Sequence, residues 1–281
     1  LIISMPAMKR VVELLDEKSD IQNPKEPLHR VLNGNIEFTD VDFSYTKNPK
    51  KLSLKDINIS IKEGEVISII GATGSGKSTL VNLIPRLYET TLGEVKVGDV
   101  NVKEYDLKVL RDNVSMVLQK NVLFSGTIRE NLLWGEKEAS DEEIWEALDI
   151  AQAKEFVESF PGGLDYHVER GATNISGGQK QRLCIARALL KKPKIMIFDD
   201  STSACDTITE SKIRDGLSKK LPKVTKLIIA QRISSIENSD KVIVMDKGRI
   251  VAFDTPKKLL KTCDIYKEVY ESQKKGGDLN A

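Results

Sequence analysis

Short apolar runs recur along most of the chain and predict buried β-strands. The run Val66–Ile70 is nearly continuous in Val and Ile, which is typical of a strand that is covered on both faces. Similar runs occur at Val114–Leu118, Ile195–Phe198, Leu227–Ala230 and Val242–Met245. Because continuously apolar strands are typical of parallel sheets that are covered on both faces, we predict that these runs form one mostly parallel sheet.

Helical stretches lie between these runs, for example Asp141–Ala151, Gly178–Leu190 and Thr209–Lys220. Strands that alternate with helices predict an α/β fold, in which helices cover a parallel sheet. Residues from about 120 to 190 have little strand signal. We therefore predict that they form a helical subdomain.

A different pattern precedes the first continuous run. Apolar and polar residues alternate in Ile36–Phe38 and Val41–Tyr45, and isoleucines recur at every second position from Ile57 to Ile61. Alternation with a period of two is typical of strands that are buried on one face only. We predict an added antiparallel β-subdomain here.

The two ends of the chain differ from the part between them. Apolar residues from Met8 to Leu15 have helical spacing, and Asn23–Asn35 is rich in Pro, Asn and charge, as a linker would be. We predict a helix and linker over 1–35, one domain over 36–272 and a disordered tail over 273–281.

Composition narrows the class of protein. The 281 residues carry a net charge of +1, so the clustered basic excess of a nucleic-acid-binding protein is not expected. The three cysteines, Cys184, Cys205 and Cys263, are widely spaced and match no metal-ligand spacing, which favours a reducing compartment. No apolar run approaches the eighteen or so residues that a membrane span needs.

The segment GATGSGKST follows the strand Val66–Ile70 and precedes an apolar helix-like stretch. This is the glycine-rich phosphate loop of nucleotide-binding proteins in its strand–loop–helix context. Its backbone N–H groups would surround the phosphates of ATP, Lys77 would reach the β- and γ-phosphates and Ser78 would ligate Mg²⁺. The predicted nucleotide-binding residues of the loop are Gly71, Ala72, Thr73, Gly74, Ser75, Gly76, Lys77, Ser78 and Thr79.

Two adjacent acids, Asp199 and Asp200, end the apolar run that starts at Ile195. In a phosphate-loop protein, an Asp at the end of such a strand holds Mg²⁺ directly or through water. The alternative for Asp199 is an acidic turn or a helix cap. The phosphate loop favours the metal role.

A narrower motif, NISGGQKQR at Asn174–Arg182, resembles the signature of ATP-binding cassette (ABC) transporters. Val117–Asn131 is similar to the glutamine loop of that family, and Ser201–Asp206 to the loop that crosses its dimer interface. Tyr45 stands where the family has an aromatic residue that stacks on adenine. The resemblance covers about Ile36–Ser272, with all motifs in order.

The resemblance implies a head-to-tail dimer in which each ATP lies between the phosphate loop of one subunit and the signature of the other. The signature opens a helix, whose unpaired N–H groups and dipole would face the partner's γ-phosphate; Ser176 is also an ordinary helix N-cap. The signature residues are Ser176, Gly177, Gly178 and Gln179, and the interface-loop residues are Ser203, Ala204, Cys205 and Asp206.

The resemblance also implies roles for single residues. Gln119 would contact Mg²⁺ or water and signal to a membrane domain; its alternative is a polar strand end. Tyr45 would stack on adenine, unless it is a sheet aromatic. Glu169 would touch a membrane-domain loop or is a surface acid. We expect Cys184 to lie in the core, and Trp134 and Trp145 to be packing residues.

Two departures from the family pattern fall in one half-site. Asp200 replaces a Glu, which withdraws the catalytic carboxylate by about an ångström or more, and such a misplacement can cost roughly a hundredfold in rate. Gln231 replaces a His, so a group that can carry charge becomes a neutral one. Cys205 also replaces a usual Leu, and Ile175 is a mild exchange for Leu. We predict that Lys77, Asp200 and Gln231 form a site that binds ATP and hydrolyses it slowly.

The chain therefore resembles the degenerate-site subunit of a heterodimeric bacterial ABC exporter. This interpretation implies a second half-transporter subunit as partner, no nucleic acid, and a transmembrane domain that precedes this chain and holds it at the cytoplasmic face of the membrane. A homodimeric exporter with slow Asp-driven hydrolysis and a purely regulatory ATP-binding module are the alternatives. A DNA-repair ABC protein would have a coiled-coil insertion, and a translation-type ABC protein would have a second cassette in the same chain. This sequence has neither, which argues against both classes.

Overall fold

The computed structural model describes residues 5–199, 205–230 and 236–277. Its main sheet has six strands in the order β12-β11-β3-β10-β9-β6 within this part of the chain. Strands β11, β3, β10, β9 and β6 are parallel, and β12 pairs antiparallel with β11. The strands are β3 (Val66–Ile70), β6 (Val114–Val117), β9 (Ile195–Asp199), β10 (Thr225–Ile229), β11 (Lys241–Asp246) and β12 (Arg249–Asp254).

A second sheet is antiparallel throughout and has the order β2-β1-β4-β5. Every second residue of β2 from Ile57 to Ile61 is buried and the residues between them are exposed, as the alternation in the sequence predicts. The strands are β1 (Ile36–Phe43), β2 (Leu54–Ile61), β4 (Leu92–Val97) and β5 (Val100–Asn101).

Helices cover the main sheet, and four of them, α4 to α7, lie in the stretch that was expected to be a helical subdomain. Capping boxes start three of these, at Thr127, Ser140 and Ser176, where each side chain accepts from a backbone N–H and a Glu or Gln three residues later caps back. A two-stranded sheet of β7 (Gly126–Thr127) and β8 (His167–Val168) joins them. The helices are α1 (Met5–Asp16), α2 (Lys77–Leu83), α3 (Leu107–Asn113), α4 (Ile128–Leu133), α5 (Asp141–Ile150), α6 (Lys154–Ser159), α7 (Gly177–Leu190), α8 (Thr207–Lys220), α9 (Pro256–Thr262) and α10 (Asp264–Gly277).

The main sheet separates two hydrophobic cores. In β9, Ile195 and Ile197 pack into the core shared with the antiparallel sheet, whereas Met196 and Phe198 pack into the core shared with the helices α5 and α7. Because successive strand residues point to opposite faces, a strand between two cores must be apolar at every position. This is the physical reason for the continuous runs in the sequence.

The predicted fold class is confirmed: a mostly parallel sheet, an added antiparallel sheet and helices. Two findings concern the ends of the chain. Helix α10 continues through 273–277, a segment that was predicted to begin a disordered tail. In the described part of the chain, no helix combines the length and hydropathy needed to cross a lipid bilayer.

Candidate functional site

The carboxyl ends of three parallel strands bring predicted site residues to one edge of the main sheet. Gly71 directly follows β3, Asp199 ends β9, and Gln119 lies two residues after β6. Parallel strands have their carboxyl ends on the same edge, where ligands bind in open α/β sheets. Asp200 and Gln231, which follow β9 and β10 in the sequence, lie outside the described residues.

Asp199 and Gln119 line a pocket of about 760 Å³, whereas Gly71, Ala72 and Ser75 of the loop are not among its lining residues. It contains the expected Tyr45, most of the glycine-rich loop, Gln119 and Asp199. The structure thus brings the nucleotide and metal candidates together, at positions far apart in the sequence. The lining residues are Tyr45, Leu52, Ser53, Thr73, Gly74, Gly76, Lys77, Ser78, Thr79, Gln119, Asp199, Ile229, Lys247 and Gly248.

The loop between β3 and α2 has the shape of a phosphate cradle. Gly74 and Gly76 have φ angles of 80° and 101°, a backbone region that favours glycine. A Cβ on Gly74 would meet nothing within 4 Å, whereas one on Gly71 would lie 2.3 Å from the Met245 carbonyl oxygen. The loop is therefore packed tightly at its base and open at its tip, as a bound polyphosphate would require.

Lys77 and Ser78 present the charged and hydroxyl groups of the loop. The Lys77 ammonium donates to the carbonyl oxygens of Gly71 and Ala72, at 2.7 and 3.0 Å. The Ser78 hydroxyl donates to Asp199 Oδ1 at 3.2 Å. A hydroxyl and a carboxylate in contact are the oxygen ligands that Mg²⁺ prefers, so Ser78 and Asp199 fit a magnesium site.

Tyr45 lies on the loop that follows β1. Its ring is about half exposed, and its hydroxyl lies 3.0 Å from Thr79 Oγ1. Thr79 belongs to the first turn of α2, directly after Lys77 and Ser78. An aromatic ring is therefore fixed beside the phosphate loop, where it can stack on the base of a nucleotide.

Sequence reasoning missed one wall of the pocket, the turn Lys247–Gly248 between β11 and β12. The N–H of Gly248 donates to Ser75 O at 3.1 Å, and a Cβ there would lie 2.5 Å from Ser53 O. The turn is visible in the sequence as Asp-Lys-Gly. Its place beside the phosphate loop is not, because it depends on the pairing of β11 with β3.

The signature residues begin helix α7 and do not line the pocket. Ser176 is the N-cap: its hydroxyl accepts from Gln179 N at 3.3 Å, and Gln179 Oε1 accepts from Ser176 N at 3.0 Å. Capping uses the hydroxyl as an acceptor only, so its proton remains available. A Cβ on Gly177 would meet nothing within 4 Å, so this helix end, which includes Gly178, is open to another molecule.

Of the interface-loop residues, Cys205 and Asp206 are described, while Ser203 and Ala204 are not. Asp206 caps α8 by accepting from Thr209 N at 2.9 Å, and this hydrogen bond lowers the pKa of the Asp206 carboxyl. Cys205 is buried, and its Sγ lies 3.4 Å from Gln181 Oε1 of α7. Burial raises the pKa of the Cys205 thiol, so the thiol donates to this amide.

The remaining candidates fall in different environments. Cys184 is buried in the helical core, as expected. Trp145 packs on that core, but Trp134 is 67% exposed, so the prediction that it is a packing residue is wrong. Glu169 accepts from the Thr173 hydroxyl at 2.7 Å on the surface.

Trp134 belongs to a mostly apolar groove of about 520 Å³ between β6 and the helices α4 and α7. Its indole stacks on Phe124 with the ring centroids 4.7 Å apart, and Phe124 is itself 46% exposed. The groove also contains Leu118 and Lys120, the neighbours of Gln119. An exposed, mostly apolar groove is a surface on which another molecule or segment of chain can pack.

Comparisons with known proteins agree with this geometry. A family profile described as "ABC transporter" matches residues 54–203. Proteins of Staphylococcus aureus strains NCTC 8325 / PS 47 and COL, both named "Putative multidrug export ATP-binding/permease protein", are 41% identical over 265 residues. The alignment covers 94% of this chain and 46% of each relative, so the chain spans about half the length of these curated relatives.

A solved structure of a bacterial Atm1-family ABC exporter with ATP bound is similar to this chain. The TM-score is 0.89 at 31% sequence identity, and the similarity covers 95% of this chain and 47% of that one.

Proposed function

We propose a function from the premise that this chain belongs to the ABC transporter family, as an ATP-binding domain homologous to those of ABC exporters. In this proposal the chain drives export by ATP-dependent dimerisation with a second subunit. The observation that carries the proposal is the pocket in which the phosphate loop, Asp199, Gln119 and Tyr45 meet. In this proposal the chain's own site binds ATP and turns over slowly. Its signature completes the site of the partner.

ATP binding requires little rearrangement of the pocket. The open tip of the loop at Gly74 admits phosphate to the backbone N–H groups. Lys77, which now donates to two carbonyl oxygens of its own loop, would exchange these for charge-assisted bonds to phosphate oxygens. Mg²⁺, held by Ser78, Asp199 and Gln119, would supply a positive charge that neutralises the phosphates.

We expect Lys77→Ala to weaken Mg·ATP binding at least about tenfold, because it removes a charge-assisted hydrogen bond to the phosphates. Titration calorimetry on the chain measures this directly. Lys212→Ala, which changes an exposed lysine of α8, is the matched control and should bind like the parent chain. Equal affinity of the Lys77 variant and the parent would refute the assignment of the pocket.

Slow turnover follows from the identity of two residues. Asp200 stands where the family has the longer Glu, and Gln231 stands where it has His. The first change withdraws the carboxylate that orients the attacking water, and the second removes a group that can carry positive charge beside the γ-phosphate. The signature, in contrast, keeps its Ser and both glycines, and its changed residue Ile175 is buried and apolar.

The asymmetry favours a heterodimer over a homodimer. In a symmetric dimer, both sites would combine a shortened acid with a missing His, and an intact signature would serve no efficient site. A partner with Glu and His would use the open helix end at Ser176 and Gly177. The exposed helix end is the observation that supports this partner.

We further propose that the groove around Phe124 and Trp134 receives a helix of the transmembrane domain in the same polypeptide. The relatives are named ATP-binding/permease proteins, and more than half of their length lies outside the region that matches this chain. The groove includes both neighbours of Gln119, so a helix seated there would adjoin the residue that closes the metal site. In this proposal, a change in the nucleotide pocket at Gln119 would act directly on the transmembrane domain.

Trp134→Ala in the full-length transporter should therefore reduce transport severalfold while the isolated chain still binds ATP normally, because the groove loses its most exposed aromatic anchor. Transport into membrane vesicles measures the first quantity and calorimetry the second. Val251→Ala, an exposed apolar residue of β12, serves as the control. Unchanged transport by the Trp134 variant would contradict a docking role.

A further inference from the structure

Three aromatic rings form a cluster at the rim of the nucleotide pocket: Phe43, Tyr45 and Tyr88. The Tyr45 ring makes edge contacts with both neighbours, at centroid distances of 4.8 Å to Phe43 and 5.0 Å to Tyr88 and interplanar angles of 81° and 88°. Phe43 and Tyr88 are 5.7 Å apart. Such T-shaped pairs have favourable quadrupole contacts and a defined orientation.

The segment that carries Tyr88 is tied to the end of β1. Thr91 N donates to Asp42 O at 2.8 Å, and Ser44 N donates to the Thr91 hydroxyl at 3.0 Å. The loop with Tyr45 begins at this same point of the chain. These two hydrogen bonds therefore fix the Tyr88 segment against the start of the loop.

Tyr45 needs such support because it lies on a loop and its ring is 51% exposed. Its hydroxyl is anchored near Thr79 Oγ1, but a bond at one end leaves the plane of the ring undetermined. Ordering a half-exposed side chain only when the ligand arrives would cost part of the binding free energy. The edge contacts with Phe43 and Tyr88 fix the orientation of the Tyr45 ring before the ligand binds.

We infer that Tyr88 is a positioning residue for the nucleotide base, which holds the Tyr45 ring in the orientation that stacks on a purine. Tyr88 is not among the pocket-lining residues in the described part of the chain, so it acts through Tyr45 and not by its own contact. The inference rests on the proposed ATP-binding function. It adds a residue that no nucleotide motif of the sequence contains.

The test compares two ligands that share the phosphates but not the base, Mg·ATP and magnesium tripolyphosphate. Tyr88→Ala should weaken ATP binding about three- to tenfold and leave tripolyphosphate binding unchanged. Tyr88→Phe keeps the ring and should bind both ligands like the parent chain. Leu92→Ala, at a position that is 62% exposed in the following strand β4, is the control for truncation of an exposed side chain.

A double-mutant cycle separates positioning from a general structural effect. If Tyr88 acts through Tyr45, Tyr88→Ala should cost nothing further in a Tyr45→Ala background. Equal losses for both ligands, additive losses in the cycle, or no loss for ATP would overturn the inference. Failure of the parent chain to bind ATP, or a Lys77→Ala variant that binds as well as the parent, would instead refute the proposed function.

Discussion

At the scale of single residues, the sequence indicates the chemistry of the groups in the pocket but not their relative positions. The pattern Gly-Lys-Ser after a buried strand predicts the roles of Lys77 and Ser78, and the structure adds the contact between Ser78 and Asp199 at 3.2 Å. That contact joins positions more than a hundred residues apart, so only the pairing of strands creates it. Lys247 and Tyr88 have no such local signal, and sequence reasoning missed both.

The proposed slow turnover can be tested by changing Asp200 and Gln231 to the residues that the family has at these two positions. Asp200→Glu combined with Gln231→His should raise turnover of the assembled transporter far more than either change alone, because both groups act on one transition state. Steady-state ATP hydrolysis by the parent, both single variants and the double variant measures this. Additive or absent gains would mean that other residues keep the site slow, with the loop at Cys205 the first candidate.

At the scale of elements, strands with two buried faces were predictable because each position must be apolar. The predicted run Ile195–Phe198 became β9, Ile195–Asp199, and Val114–Leu118 became β6, Val114–Val117. The order of the strands was not predictable, since it depends on contacts between distant segments. The first two residues of β10, Thr225 and Lys226, fell outside the predicted run because one is polar and the other is charged, although they are only 0% and 3% exposed.

Burial lowers the pKa of Lys226 to about 8, and the charge of Asp240 offsets only part of this effect. Its ammonium donates to Leu221 O at 2.7 Å. In the unfolded chain the pKa of this lysine is the ordinary 10.5, so it keeps its proton up to about that pH. Between about pH 8 and 10.5 the unfolded chain therefore binds more protons, and the contribution of Lys226 to the free energy of unfolding rises with pH.

Lys226→Met should remove this rise. From pH 7.5 to 10.5, the free energy of unfolding of the parent should therefore rise relative to that of the Met variant by roughly 2–3 kcal/mol. Urea denaturation of both proteins across this range measures it, and taking the difference cancels the titration of other groups. Parallel curves would show that Lys226 titrates normally in the folded chain.

At the scale of the whole molecule, we propose that one chain carries two half-sites of unequal quality. The nucleotide pocket is built on the main sheet, whereas the signature lies at the start of α7 and outside that pocket. An active site that uses both must therefore combine two molecules. The fold class and the nature of the motifs could be predicted from the sequence, but this separation depends on where the helices pack.

We propose that this chain contributes more to turnover through its signature than through its own acid. The most direct test is steady-state ATP hydrolysis by the assembled full-length transporter carrying Ser176→Ala or Asp200→Asn in this chain. Ser140→Ala is a matched control, because Ser140 caps α5 with the same capping box and its loss should cost a similar stability, about 1 kcal/mol.

We predict that Ser176→Ala lowers hydrolysis by about a hundredfold or more, since it removes a donor aimed at charge that builds in the transition state. Ser140→Ala and Asp200→Asn should both leave most of the activity. If Asp200→Asn proves as damaging as Ser176→Ala, Asp200 is a working catalytic residue and the asymmetric account is wrong.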